Sequence, residues 1–314
     1  RIKKQFSAIA EFTVDSGYNC AKKIFSCHEK PDFIFCATDN IAAGAILYCK
    51  ENNLKYYLLG GCVIGALRHK GFIPWDDDID VSMPRPDYDR FIALCSSRDM
   101  GNYELATPRN TENYPLPFVK LCRKDTTLIE ENDTPCILGV FIDIFPLDGT
   151  STDINEAATL KKKYNRLWNK LEAISTRNTF AEYISLLKTP HEWGRFAVKT
   201  AGFFFRPQLR NILLKKLDSI SYSHPFETAE NVIVYGGSYG EREIMPKSFC
   251  MGDDILMPFE GIEINMPSGY KEYLTRIYGN YMQLPPKEKQ VSHHLHAVVD
   301  LKRRMTKKEA LSLL

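Results

Sequence analysis

From Leu54 onward, apolar residues fall into short runs bounded by glycine, proline and aspartate, and their spacing predicts alternating strands and helices. "LKYYLL" (54–59) reads as a strand. A Gly60-Gly61 turn follows, then a short helix over "CVIGALRHK", with Gly71 as the C′ residue that stops it. Strands are expected at "FVKLCR" (118–123) and "GVFIDIF" (139–145), the second ended by Pro146 and Gly149. Residues 151–222 carry helical spacing. Strand signals return at "NVIVYGG" and in the hairpin-like "ILMPFEGIEINMP", before the helices "GYKEYLTRIYG" and "TKKEALSLL". Ahead of Leu54, a helix (17–30), a Pro31-Asp32 turn, a strand "FIFCA" and a helix capped by Asp39 form an αβα segment. The expected class is α+β, a mixed sheet flanked by helices with a mostly helical insert. The expected divisions are 1–53, 54–150, 151–230 and 231–314.

Composition narrows this little. The 314 residues are 44% hydrophobic and 25% charged, as in a water-soluble globular chain. With 41 Lys+Arg against 39 Asp+Glu, the net charge of +2 supplies no electrostatic case for nucleic acid. Nine cysteines form no C-x-x-C pair and mostly sit among apolar neighbours, which points to buried free thiols in a reducing cytosol. No apolar run reaches the ~18 residues of a spanning helix. Residues 195–216, "RFAVKTAGFFFRPQLRNILLKK", mix aromatic and cationic side chains. They read as a core-packed helix interrupted by Pro207, with weak peripheral membrane contact as the other reading.

The chemistry concentrates in "IPWDDDIDVSMPRPDYDRF" (73–91), where Asp76, Asp77, Asp78 and Asp80 occupy four of five positions. Extended backbone would put Asp76, Asp78 and Asp80 on one face, about 7 Å apart, where each neighbouring pair repels by roughly 2 kcal/mol. A solvated loop has no need of Trp75, Ile79, Val81 and Met83, and capping a helix uses fewer acids. An EF-hand fails because Val81 occupies the position that requires glycine. A bound magnesium-type cation offsets the repulsion, since carboxylate oxygens are its preferred ligands.

A second source of negative charge is Asp143, mid-strand in "GVFIDIFPLDG", where an unpaired ionised acid costs several kcal/mol. Gly60 and Gly61 allow close approach of a bound group, and the helix that follows aims its first N–H groups at an anion. Arg68, His69 and Lys70 complement the end of that helix. Together with Lys120 and Arg123 they are the candidate partners of phosphate charge. His293 and His294, next to His296, lack metal-ligand spacing and are assigned a substrate-side role.

Taken together, "KYYLLGGCVIGALRHKGFIPWDDDIDVSMPRPDYDRF", "FIDIFPLDG", "YGGSYGERE", "YKEYLTRIYGNYMQLPP" and "VSHH" resemble the LicD family, which includes the fukutin-related phosphotransferases, over residues 54 to about 296. The resemblance implies a nucleotidyltransferase-like mixed sheet. It implies Asp78 and Asp80 as the metal-binding pair, Asp143 as the third acid with Asp76 assisting, and Gly60 and Gly61 facing the donor pyrophosphate. Cys62 departs from the Ser/Thr frequent after the paired glycines. The implied reaction moves phosphocholine or another phospho-alcohol from a CDP-linked donor to a hydroxyl of a cell-surface glycan, lipid-linked or free, with Mg²⁺ or Mn²⁺, releasing CMP in the cytoplasm or at the inner membrane face. Asp143 and Asp76 both remain candidates for taking the acceptor proton. Separately, "SGY" and "PDFIFCATDNIAAGAI" resemble part of the sugar-sensing domain of lactose-repressor-type (LacI/GalR) regulators. The competing functions are a nucleotidyltransferase that transfers the nucleoside monophosphate itself and a non-catalytic sugar-responsive regulator.

Overall fold

The computed structural model describes residues 54–313 apart from residue 77 and the segments 131–135, 176–183, 185 and 293–296. The αβα segment at 1–53, its regulator-like resemblance, His293 and His294 all lie outside the described residues.

Strand β1 (Tyr57–Leu58) leads into helix α1 (Gly61–His69), strand β2 (Asp80–Pro84) and helix α2 (Arg85–Ser97). Then come β3 (Tyr103–Ala106), β4 (Val119–Arg123), β5 (Thr127–Ile129) and the ten-residue β6 (Phe141–Thr150). Two long helices follow, α3 (Ile154–Ser175) and α4 (Trp193–Ser221), then the short β7 (Asn231–Ile233) and β8 (Met245–Pro246). A hairpin of β9 (Ile255–Phe259) and β10 (Ile262–Met266), helix α5 (Tyr270–Tyr278), β11 (Val298–Asp300) and α6 (Lys307–Leu311) complete the chain. The class is α+β, as the alternation of strand and helix patterns predicts.

The main sheet runs β1-β2-β6-β4-β3, with β7 pairing the far end of β6 and β8 pairing β7. Only β2 and β6 are parallel to each other, and their register sets Asp80 opposite Asp143. β6 is buried along almost its whole length and apolar apart from Asp143, Asp148 and Thr150, as a central strand covered on both sides requires. One core joins Cys62, Val63 and Ile64 of α1, Val81 and Met83 of β2, Ile142 and Ile144 of β6, and Tyr273, Leu274 and Ile277 of α5. A second core fills the space between α3, α4 and β7, from Tyr164 and Leu171 to Leu217 and Ile233.

Several boundaries differ from the sequence expectation. The acidic stretch is not a strand from Asp76: Asp76 closes a turn by donating its N–H to Ile73 O (2.8 Å), and β2 begins only at Asp80. Lys70, not Gly71, adopts the left-handed conformation that ends α1 (φ 59°). Gly71 instead leaves room for the Glu260 side chain of the β9–β10 turn, whose Oε1 stands 1.9 Å from where a Cβ would be and would have to move aside. Pro146 does not end β6. It falls between the residues paired with β4, which stop at Ile144, and those paired with β7, which begin at Asp148, so on that edge its missing N–H leaves no gap in a ladder. The interruption expected at Pro207 is present as a kink between two helical segments of α4, through non-helical Phe205 (φ −126°, ψ 27°) two residues earlier. Helix α2 is not among the elements predicted from the sequence; Pro84 and Pro86 lie at its cap and in its first turn, where no N–H is needed. Cys62, Cys95, Cys122, Cys136 and Cys250 are buried free thiols, as expected.

The start of α2 is tied to the end of β6 by a buried ion pair, Arg85 Nε to Asp148 Oδ1 at 2.6 Å, with Asp148 fully covered. The guanidinium also lies over the rings of Tyr88 and Tyr222 at 4.9 and 5.0 Å. Removing one partner strands the other charge in low dielectric. Asp148→Ala is therefore expected to cost about 3–5 kcal/mol in urea unfolding. The double replacement Arg85→Met with Asp148→Leu should cost clearly less; additive losses in the double variant would refute this account of the pair.

Candidate active site

The Gly60-Gly61 turn carries the strand into the helix by a route that other residues would block. Gly60 sits at φ 59°, ψ −131°, and a Cβ on Gly61 would stand 2.8 Å from Asp76 Oδ2. The anion at the start of α1 is thus Asp76's own carboxylate, at the positive end of the helix dipole. Amides that could have opened to a ligand are partly engaged within the turn. Cys62 N donates to Leu59 O (3.2 Å), Val63 N to Gly60 O (3.3 Å), and Gly60 N to the Tyr273 hydroxyl (2.9 Å).

Cys62 takes a role that sequence reasoning missed. Its buried Sγ donates to Asp78 O (3.6 Å) and accepts from Asp80 N (3.3 Å), pinning the main chain of both acids to the first turn of α1. Burial, then the charges of Asp80 and Asp78, push its thiol well above the usual range, so it remains a protonated donor. The signal was legible only in part: a small side chain with both donor and acceptor capacity is needed, and Cys supplies one as Ser or Thr would.

The chemical centre is a row across three neighbouring strands. β2 sets Asp80 against Asp143 of β6, and β4 sets Lys120 against the other side of Asp143, so the three side chains project from one face. Lys120, only 2% exposed, holds its ammonium 2.7 Å from Asp143 Oδ1 and donates to Oδ2 at 3.0 Å. It also lies 3.3 Å over the Phe141 ring, and Glu130 is 3.9 Å away. The approach to Oδ1 is side-on, and that buried oxygen accepts no hydrogen bond. Burial raises Asp143 to about 6 against the opposing pull of Lys120. Burial also raises Asp80 well above the usual carboxylate range, with repulsion from Asp78 and Asp143 adding to it.

Asp76, Asp78, Asp80, Asp143, Lys120, Gly60 and Gly61 are therefore brought together, Asp80, Asp143 and Lys120 by ladder register and the others by the turns before α1 and β2. Arg68, His69 and Lys70 are not brought to the turn: they occupy the far end of α1, on the order of 12 Å along its axis. There Arg68 Nε donates to His69 Nε2 (2.9 Å) and Nη1 to Tyr281 O (3.3 Å). Arg123 is turned to Asp125, Nε–Oδ1 2.8 Å and Nη2–Oδ2 2.6 Å.

The motifs "YGGSYGERE" and "YKEYLTRIYG" carried no assigned roles, yet they close the other side of the site. Tyr273 and Tyr278 of α5 reach the Gly60 turn, and Tyr239 packs edge-on to Tyr278 with ring centroids 5.0 Å apart. Their loop is held from below by two buried charges. Lys161 donates to the carbonyls of Val234 (3.3 Å), Tyr235 (2.6 Å) and Gly237 (2.7 Å), while Glu243 accepts from Tyr239 N (3.2 Å). Burial brings Lys161 down to about 8 and Glu243 up to about 7, each opposed by the other's charge. Three carbonyl acceptors around one nitrogen match the three donors of an ammonium.

The donor set at Asp78, Asp80 and Asp143 is oxygen only, which fits a hard divalent cation. As the side chains stand, no three acidic, histidine or cysteine groups among the described residues form a cage for an ion, and Lys120 supplies the compensating charge.

A mixed sheet with paired glycines at a helix start, an Asp-x-Asp entering the next strand and a third acid on the parallel neighbour defines a nucleotidyltransferase-type catalytic domain. Residues 53–175 match the family described as LicD/FKTN/FKRP, nucleotidyltransferase domain. The chain is 31% identical over 252 residues, 79% of its own length and 89% of the relative's, to the lipopolysaccharide cholinephosphotransferase LicD of Haemophilus influenzae. Uncharacterized proteins of Rickettsia prowazekii and Rickettsia typhi are each 46% identical over 37 residues, 12% of this chain and 14% and 12% of those proteins. The chain belongs to the LicD family.

Cys62 yields a direct test. Cys62→Ser keeps a donor and an acceptor and should retain most turnover, whereas Cys62→Val, similar in shape but apolar, should lower kcat about 30-fold, the worth of two hydrogen bonds at about 1 kcal/mol each. Equal kcat in the two variants would show that the sulfur does not position the acids.

Proposed function

We propose that this transferase moves phosphocholine from a CDP-linked donor to a hydroxyl of a cell-surface glycan in a magnesium-dependent reaction that releases CMP. The observation that carries the reading is the Asp80–Asp143 register across parallel strands, with Asp78 and Asp76 on the approach and Gly60-Gly61 beside them. The likeness to a lipopolysaccharide cholinephosphotransferase over most of both chains supports the head group and the glycan acceptor.

In this reading Asp78, Asp80 and Asp143 would hold the cation, which would supply positive charge to neutralise the pyrophosphate. Gly60 and Gly61 let the pyrophosphate approach the main chain. Lys120 holds Asp143 in place and balances its charge while the donor is absent. The acceptor oxygen attacks the distal phosphorus, the bond from that phosphorus to the bridging oxygen breaks, and CMP departs with the electron pair. The acceptor proton passes to a carboxylate of the cluster, Asp76 or Asp143. Transfer of the nucleoside monophosphate instead would label the acceptor with cytidine and release no CMP, so the products separate the two chemistries.

No helix among the described residues is long and apolar enough to cross a membrane. The exposed Trp193, Phe204, Phe205 and Ile212 of α4 would suit peripheral contact with a membrane that carries a lipid-linked acceptor. Co-flotation with anionic liposomes is expected, and its loss in Phe204→Ser with Phe205→Ser; a wild-type chain that stays at the bottom of the gradient removes the membrane from the reading.

With CDP-choline and acceptor, Asp80→Asn should lower CMP release by at least about 100-fold, since it removes an anionic ligand from a metal-assisted phosphoryl transfer. Its thermal midpoint should hold or rise, because a repelling buried charge has gone. EDTA should stop the wild-type reaction and magnesium restore it. Ordinary turnover in EDTA would defeat the metal assignment.

A further inference from the structure

Beside the phosphate-facing turn lies a group of aromatic rings that the reaction scheme leaves unused. The Tyr278 hydroxyl is 3.5 Å from where a Cβ on Gly60 would stand, and Asp80 Oδ2 is 3.7 Å from the same point, so ring and carboxylate flank one spot on the main chain. Tyr239 meets Tyr278 at an interplanar angle of 71°, which makes a right-angled aromatic corner. Tyr239 is 41% exposed yet firmly placed: its N–H is taken by buried Glu243, its carbonyl by Arg242 N (3.2 Å), and the turn before it by Lys161. A large ring held partly in water by buried charges is costly to arrange and gains most if a ligand covers it. The charges acting on these two rings, Asp80, Asp76 and Glu243, are all negative.

Ring faces at a right angle, with carboxylates behind them, are the chemistry that receives a quaternary ammonium. A primary ammonium or a polyol needs hydrogen-bond partners to replace its water, and ring faces provide none. We propose that Tyr239 and Tyr278 form the head-group subsite of the donor and select a quaternary ammonium two carbons from the transferred phosphate, with Tyr239 as the specificity-determining residue. The inference rests on the phosphotransfer reading above, which places that phosphate at Gly60-Gly61, and it adds what distinguishes a choline-type donor from other CDP-alcohols.

Isothermal titration of the full chain in magnesium tests it with three probes: CDP-choline, its neutral isostere CDP-3,3-dimethylbutanol, and CDP alone. The wild type should bind the charged ligand about tenfold more tightly than the neutral one, as expected of a partly desolvated cation over aromatic faces. Tyr239→Phe should keep that ratio, and Tyr239→Leu should bring it close to one. Equal affinity for the two ligands in the wild type, or an unchanged ratio in Tyr239→Leu, overturns the head-group subsite while CDP binding leaves the donor reading standing. Failure of CDP itself to bind overturns the donor reading, and this inference with it.

Discussion

The molecule is organised around a repulsion. Parallel pairing of β2 and β6 puts Asp80 beside Asp143, and the turn before β2 adds Asp78 and Asp76, so several negative groups share one poorly solvated place. Left to themselves they resist ionisation, as the raised values of Asp80 and Asp143 express. Lys120 offsets part of this from the neighbouring strand. Such an arrangement is poor for stability and well suited to catalysis, because whatever positive charge enters is held by a preformed field.

The surrounding architecture serves to keep that cluster assembled. Cys62 fastens the acidic segment to α1, Tyr273 fastens the glycine turn to α5, and Arg85 with Asp148 fastens the helix after β2 to the strand that carries Asp143. Residues far apart in the chain thus bear on one small region. The segment after residue 230 is part of the site rather than an appendage: β7 pairs the same β6, and the Tyr239 loop and α5 form the wall opposite the carboxylates. Lys161, from the helical region, holds that wall by satisfying three carbonyls at once.

Much of this was legible residue by residue. Four acids in five positions demanded a counter-charge, Asp143 in an apolar strand demanded a partner, and the paired glycines announced a close approach. The β9–β10 hairpin was equally plain, since Glu260 and Gly261 both take positive φ at the turn that the pattern marks. What misled was local reading of residues with two uses. Pro146 looked like a strand end and instead falls where β6 changes partners. Arg68, His69 and Lys70 looked like phosphate ligands because they neighbour the motif in sequence, but a nine-residue helix carries them to the opposite end of it.

By itself, then, the sequence determined the kind of chemistry: local composition decides which groups must be charged, which must be close-packed, and which elements form, since these depend on neighbours within a few residues. Only the tertiary structure decided the partners. That Asp80 faces Asp143, that Lys120 rather than a more exposed cation meets them, and that Cys62, Tyr239, Tyr273 and Tyr278 belong to the site are consequences of strand register and helix docking. Those are set by how the whole core packs, and a cross-strand contact between residues 63 positions apart leaves no periodic trace along the chain.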